Sequence, residues 1–255
     1  MNINIYKLKR SHERYQLRKP ITESGFFKSI LYAIIGCYTY PGINLFNRLK
    51  IEGMEKLHAL PKRGVLFVSN HQTYFTDVIT FIHIFCAARR GKGKRLGFPF
   101  YLFFPFTRIK YVAAATTMRS TFMSRLFTLA GAITVKRTWS EASGETRTGL
   151  ETSDIRTVGA ALEKNWVITF PQGTTTPYAP GRKGTAFIIK QYRPIVVPIV
   201  IDGFSEAFSK TGLKLKKRRT RLSVRIKDPL VIDYDQSNED MLHQIMEAIE
   251  QVPKQ

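Results

Sequence analysis

The chain has 255 residues, 44% of them hydrophobic and 23% charged, a composition that excludes intrinsic disorder and supplies enough apolar side chains for a substantial core. Forty Lys and Arg against nineteen Asp and Glu leave a formal net charge of +21, so the surface carries an extended positive field suited to polyanions: nucleic acid, anionic lipid headgroups or an acidic protein. Sign alone does not choose among these.

The first segment, "MNINIYKLKRSHERYQLRK", scatters charges throughout and has no apolar centre, so it does not read as a secretory signal. Its Lys7, Lys9, Arg10, Arg14, Arg18 and Lys19 form a polybasic lead toward anionic lipid. Next comes "SILYAIIGCYTYPGINLFN", Ser29 to Asn47, uncharged and flanked by Lys28 and Arg48. It is short for a bilayer span, Pro41-Gly42 breaks a continuous helix, and its tyrosines suit the headgroup level. The expectation is a helical hairpin dipping into one leaflet, with a buried core hairpin as the alternative. Residues 1–50 are accordingly divided from an α/β domain at 51–255.

From there short β-rich runs alternate with helical stretches. "GVLFVSN" at 64–70, "GAITVKR" at 131–137, "NWVITFPQ" at 165–172 and "PIVVPIVIDG" at 194–203 read as buried strands. Helices are expected from Asp77 to about Ala88, Ser120 to Ala130, Gly149 to Lys164 and Lys183 to Tyr192. Such alternation implies βαβ units: an α/β fold with a mostly parallel central sheet flanked by helices. "LGFPFYLFFPF", Leu96 to Phe106, is an aromatic loop whose prolines argue against a regular helix. It either lines an acyl-chain groove, rests in a lipid interface, or is a plain core loop.

Toward the C-terminus Leu222, Val224 and Ile226 alternate with Arg221, Arg225 and Lys227, a half-exposed strand with a basic face and a basic tip at 216–219. It reads either as a charged edge that blocks aggregation or as a dock for an acidic partner. The last helix, Asn238 to Val252, puts Met241, Leu242, Ile245, Ile249 and Val252 on one packing face. Cys37 and Cys86 have no metal or redox spacing and are expected as two buried reduced thiols, as in an inside-facing, reducing compartment.

In parallel sheets, sites gather past the carboxyl ends of strands, where Asn70-His71, Arg137 and Pro171-Gln172-Gly173 all fall. His71 can take a proton from a hydroxyl, and a carboxylate behind it would fix its tautomer. Asp77 follows six positions on, roughly 240° around a continuous helix, so the two meet only if His71 lies on a turn before the helix. The sequence offers no serine-nucleophile elbow and no metal-ligand spacing, which suggests that the acceptor's own hydroxyl attacks. In "FPQGTTTPYAPGRKGTA" the glycine and threonines offer N–H groups and hydroxyls to phosphate oxygens, and Arg182 and Lys183 open the next helix. Turn chemistry accounts for such a run equally well.

In this order the stretches resemble the glycerolipid acyltransferases, the family that includes bacterial 1-acylglycerol-3-phosphate acyltransferase. "NHQTYFTD" is similar to its Asn-His-(four residues)-Asp block, "GAITVKR" to its Gly…Arg block, "FPQGTTT" to its Phe-Pro-Glu-Gly-Thr-Arg block and "IVVPIVI" to its proline-containing fourth block, over roughly residues 50 to 205. The resemblance implies His71 as general base and Asp77 as its partner. It implies Asn70, Arg137, Gly173 and Thr174, with Arg182 and Lys183 added from this chain, at the glycerol-phosphate end. The acyl donor would be a thioester of coenzyme A or acyl carrier protein, with no bound cofactor and no metal.

The sequence departs from the family in three places. Five residues separate His71 from Asp77, so either the turn absorbs one or Thr76 takes the acid's position. Gln172 stands for the family's Glu, and Thr175 for its Arg. The resulting expectation is acylation of a lysolipid, foremost 1-acylglycerol 3-phosphate, at the cytoplasmic face of an anionic membrane. A lyso-aminolipid or another lysophospholipid is the alternative acceptor, and a non-catalytic binder of anionic membrane the alternative class. Nucleic acid is not expected, since aromatic and basic residues do not interleave in the manner of nucleic-acid-binding segments.

Overall fold

The structure, a computed structural model, describes residues 25–115, 122–135, 152–212 and 214–252. A seven-stranded sheet forms its centre, in the order β1-β7-β6-β2-β5-β3-β4. The strands are β1 Arg48–Glu52, β2 Val65–Ser69, β3 Ile109–Ala114, β4 Ala132–Val135, β5 Trp166–Thr169, β6 Ile195–Asp202 and β7 Arg221–Ile226. Five of the six pairings are parallel and only β6–β7 is antiparallel. The expected α/β sheet is therefore present, with β1 and β3 added to the strands read from the sequence.

β2 sits between β5 and β6 and is buried along its whole length, as a continuous apolar run in a parallel sheet should be. Its successive side chains divide between two cores: Val65 and Phe67 pack on one face, Leu66 and Val68 on the other. The first face carries α1 (Gly25–Tyr40), α2 (Thr76–Arg89) and α3 (Phe122–Ala130). The second carries α4 (Thr152–Leu162), α5 (Gly184–Tyr192) and α7 (Asn238–Ala248), the short α6 being Phe204–Ala207. On α7 Met241 and Ile245 are fully buried, as is Ile249 at its C-cap, as their spacing requires.

The N-terminal region differs from the expected hairpin. Among the described residues it is a single helix, α1, closed by a π turn at Pro41–Leu45 that leads into β1. Pro41 ends the regular helix because its ring leaves no N–H for the i→i−4 ladder. α1 is fastened to the body: the buried Lys28 donates to the Ile109 carbonyl (2.5 Å) and the Tyr32 hydroxyl to the Ala130 carbonyl (3.1 Å). Leu31, Tyr32 and Tyr40 belong to the same core as the sheet, while Phe26, Ile34 and Tyr38 face outward. No helix of the described residues is long and apolar enough to cross a membrane.

The aromatic loop is a 3-10 turn, Pro99–Leu102, packed against α1. Tyr101 and Leu102 are buried, but Phe98, Phe100, Phe103 and Phe104 are exposed, so these rings do not line an interior groove. Two further expectations change. β7 lies between β1 and β6, so its charges do not guard a sheet edge. Cys37 is exposed; only Cys86 is buried, and burial pushes its thiol up to about 12.

Candidate active site

β2 delivers the site. Past Ser69 the chain leaves the sheet, and the Asn70 amide fixes that exit by pairing with the neighbouring strand: Nδ2 donates to the Ile201 carbonyl (2.8 Å) and Oδ1 accepts from the Ile201 N–H (2.8 Å). Asn70 is buried, and both ends of its amide are used in this way. The residue expected as a substrate contact thus holds β2 to β6.

His71 follows on a turn before α2, the arrangement its spacing from Asp77 demands. Its Nδ1 lies 2.9 Å from Asp77 Oδ2. Asp77 is fully buried in the first turn of α2, and its carboxylate accepts from the Gln72 N–H (2.6 Å), the Thr73 N–H (2.9 Å) and the Thr73 hydroxyl (2.7 Å). These donors keep a buried carboxylate satisfied. Asp77 is thus the partner of His71; Thr76 is not, because its hydroxyl donates to the Gly212 carbonyl.

The imidazole also stacks on Phe170, with centroids 3.9 Å apart and rings 22° from parallel. Phe170 immediately follows β5, so one face of His71 is set by the neighbouring parallel strand. With Nδ1 committed to Asp77 and the ring held by stacking, Nε2 is the nitrogen available to take a proton. The His71 side chain retains 13% of its surface exposure, enough for a substrate hydroxyl to approach.

The segment after β5 brings the third motif to the same end of the sheet. Gly173 has φ +63°, and a Cβ there would lie 2.9 Å from Arg182 Nε. Glycine is needed both for that backbone conformation and for the closeness of the guanidinium. Arg182 is tied back through its own N–H to the Pro171 carbonyl (2.9 Å). Thr174 makes a local turn, its hydroxyl accepting from the Thr176 N–H at 3.3 Å. Gln172 is buried, donating to the Ala179 carbonyl and to Gln251 Oε1, both at 3.1 Å. Lys183, expected beside Arg182 as a phosphate ligand, instead pairs with Glu239 on the solvent side. Arg137 lies outside the described residues.

Three contributors escaped the sequence reading. Phe170 offered only its place at the head of the third motif. Gln72 accepts from the Phe204 N–H (2.7 Å) and holds α6 against the turn. Loop residues 210–212 bond to the turn itself, as described below. Among the described residues no group of His, Cys, Asp and Glu is placed to hold a metal.

Comparisons with known proteins bear on the family and the fold. Residues 48–202 match the family described as Acyltransferase. No curated protein matches the chain. The fold is similar to that of the crystal structure of PlsC, the 1-acyl-sn-glycerophosphate (LPA) acyltransferase from Thermotoga maritima. That likeness has a TM-score of 0.52 at 16% identity and covers 96% of this chain and 87% of the other. At that identity it is a likeness of fold.

Proposed function

Because the chain belongs to the acyltransferase family, we propose that it moves a fatty acyl group from an acyl thioester to the free hydroxyl of a lysolipid, foremost 1-acylglycerol 3-phosphate. The observation that carries the reading is the His71–Asp77 pair, 2.9 Å apart at the carboxyl end of the central strand. His71 Nε2 takes the hydroxyl proton as the oxygen attacks the thioester carbonyl. The C–S bond then breaks, and the leaving sulfur recovers that proton from the imidazolium, giving ester and free thiol. Asp77 holds the tautomer and stabilises the imidazolium. No cofactor takes part beyond the donor's own coenzyme A or acyl carrier protein.

Arg182 over Gly173, with Arg137, is the proposed contact for the acceptor's phosphate. The pairing of Lys183 with Glu239, together with Thr175 where the family has Arg, supports a second reading in which the headgroup is larger or lacks a terminal phosphate. The exposed Phe98, Phe100, Phe103 and Phe104 and the outward face of α1 suit the surface of an anionic membrane, where lysolipid resides.

The test is transfer from a labelled acyl thioester to a panel of lysolipids with and without a terminal phosphate, wild type beside His71→Ala. Turnover should fall about 10²–10⁴-fold in the variant. Acylation of other lysolipids only would move the assignment to the second reading. Transfer that persists in His71→Ala would remove the histidine from the mechanism.

A further inference from the structure

The turn from His71 to Asp77 is one residue longer than the motif it resembles, and a second segment of the chain takes up the excess. Tyr74 and Phe75 precede the first hydrogen-bonded turn of α2, which therefore cannot use their N–H groups. Both donate instead to the loop after α6: Tyr74 N to the Lys210 carbonyl at 3.0 Å and Phe75 N to the Thr211 carbonyl at 3.2 Å. Thr76, standing where the family carries its aspartate, donates its hydroxyl to the next carbonyl, that of Gly212. Three successive loop carbonyls thus receive three successive turn residues.

The loop is built to hold that position. The Ser209 N–H reaches the Lys214 carbonyl (2.8 Å) and the Gly212 N–H the Ser209 carbonyl (2.7 Å). Gly212 has φ +83°, and a Cβ on it would lie 2.5 Å from Thr76 Oγ1, 2.6 Å from Thr76 N and 3.0 Å from Thr73 Oγ1. Thr73 Oγ1 is itself a donor to Asp77, so the contact reaches the carboxylate through one side chain.

We propose that Ser209–Gly212 is a strap that positions the catalytic pair, with Thr76 and Gly212 as its two positioning residues. The strap directs Thr76 away from His71 and thereby turns Asp77 toward it. This inference rests on the acyl-transfer reading for its kinetic consequence, but its geometric claim does not.

Thr76→Val removes the hydroxyl and keeps the shape, Thr76→Ser restores the hydroxyl, and Gly212→Ala intrudes on the contact from the other side. With the donor and acceptor established for the wild type, Thr76→Val should lower kcat about tenfold with both KM values within about twofold, since a misplaced base slows chemistry without loosening substrate. Thr76→Ser should recover wild-type kcat, and Gly212→Ala should repeat the loss should Thr76→Val not fold. The His71 Nδ1–H resonance in proton NMR supplies a readout that needs no turnover. It should be protected from exchange in wild type and Thr76→Ser and lost in the other two. Wild-type kcat and a protected resonance in Thr76→Val and Gly212→Ala would overturn the strap. A wild type with no acyl transfer but with the expected resonance pattern would overturn the reaction and leave the strap standing.

Discussion

His71 meets Asp77 because a turn, not a continuous helix, lies between them. The histidine stands on the exit of β2, anchored by Asn70 to Ile201, and the aspartate on the first turn of α2, anchored by Gln72 and Thr73. A carboxylate satisfied by that many donors has little freedom, which is what a base needs from its orienting partner. The same logic separates the two cations of the third motif. Lys183 is half exposed and paired with Glu239 at the surface, where solvent screens the attraction. Lys183→Ala should therefore leave acyl transfer and acceptor preference within about twofold of wild type. A selective loss on phosphate-bearing acceptors would return Lys183 to the site.

At the scale of elements, α1, α2 and the aromatic turn are joined by His83. The ring is fully buried, with Nδ1 2.9 Å from the Tyr101 hydroxyl and Nε2 3.3 Å from Thr39 Oγ1. Thr39 already donates to the Ile35 carbonyl, so it accepts from Nε2–H, and Tyr101 donates to Nδ1. Burial pushes the His83 pKa down to about 4, so the fold keeps this ring neutral where the unfolded chain would protonate it. The unfolded state then binds more protons between about pH 6.5 and 4, and stability falls as pH falls through that window. The contribution is of order 3 kcal/mol, and His83→Asn should flatten that part of the stability–pH curve. Denaturant titrations at pH 7 and pH 4.5 measure it; an unchanged pH dependence in the variant would show that other groups govern it. The joint matters because α2 also carries Asp77.

For the whole molecule, charge and apolar surface act together. Arg218 lies over the exposed Phe46 ring (4.7 Å to the centroid), Arg90 over Phe104 (5.3 Å), and Arg219 is bonded through its N–H to the Phe46 carbonyl. Cations set over exposed aromatics suit a layer of anionic headgroups above acyl chains. At the end of β7 and just past it, Arg225 and Lys227 pair with Glu250, which narrows the basic face read from the sequence. The 255-residue chain should sediment with vesicles containing anionic lipid and much less with neutral ones, and raising salt from about 0.1 to 0.5 M should reduce the bound fraction. Replacing Phe100 and Phe104 by Ser should weaken binding that survives high salt, which is the apolar share; equal binding to neutral and anionic vesicles would remove the role of charge.

The sequence by itself determined the parallel α/β architecture, because runs such as "GVLFVSN" and "PIVVPIVIDG" bury both faces and strands of that kind need helical crossovers. It also grouped His71 and the third motif at one end of the sheet, because parallel strands such as β2 and β5 end on the same side. Strands β1 and β3 escaped it, the first because "RLKIE" is an edge strand with polar residues on alternate positions and so lacks a continuous apolar run. Whether Asp77 or Thr76 meets His71, that Asn70 bonds to the Ile201 backbone, that Lys183 turns to Glu239, and that β7 lies inside the sheet were decided only by tertiary structure. Each depends on a partner more than 50 residues away, or on a turn whose shape the loop at 209–212 imposes. Local pattern fixes which faces are buried, but a hydrogen bond between distant segments exists only once the chain has brought them together.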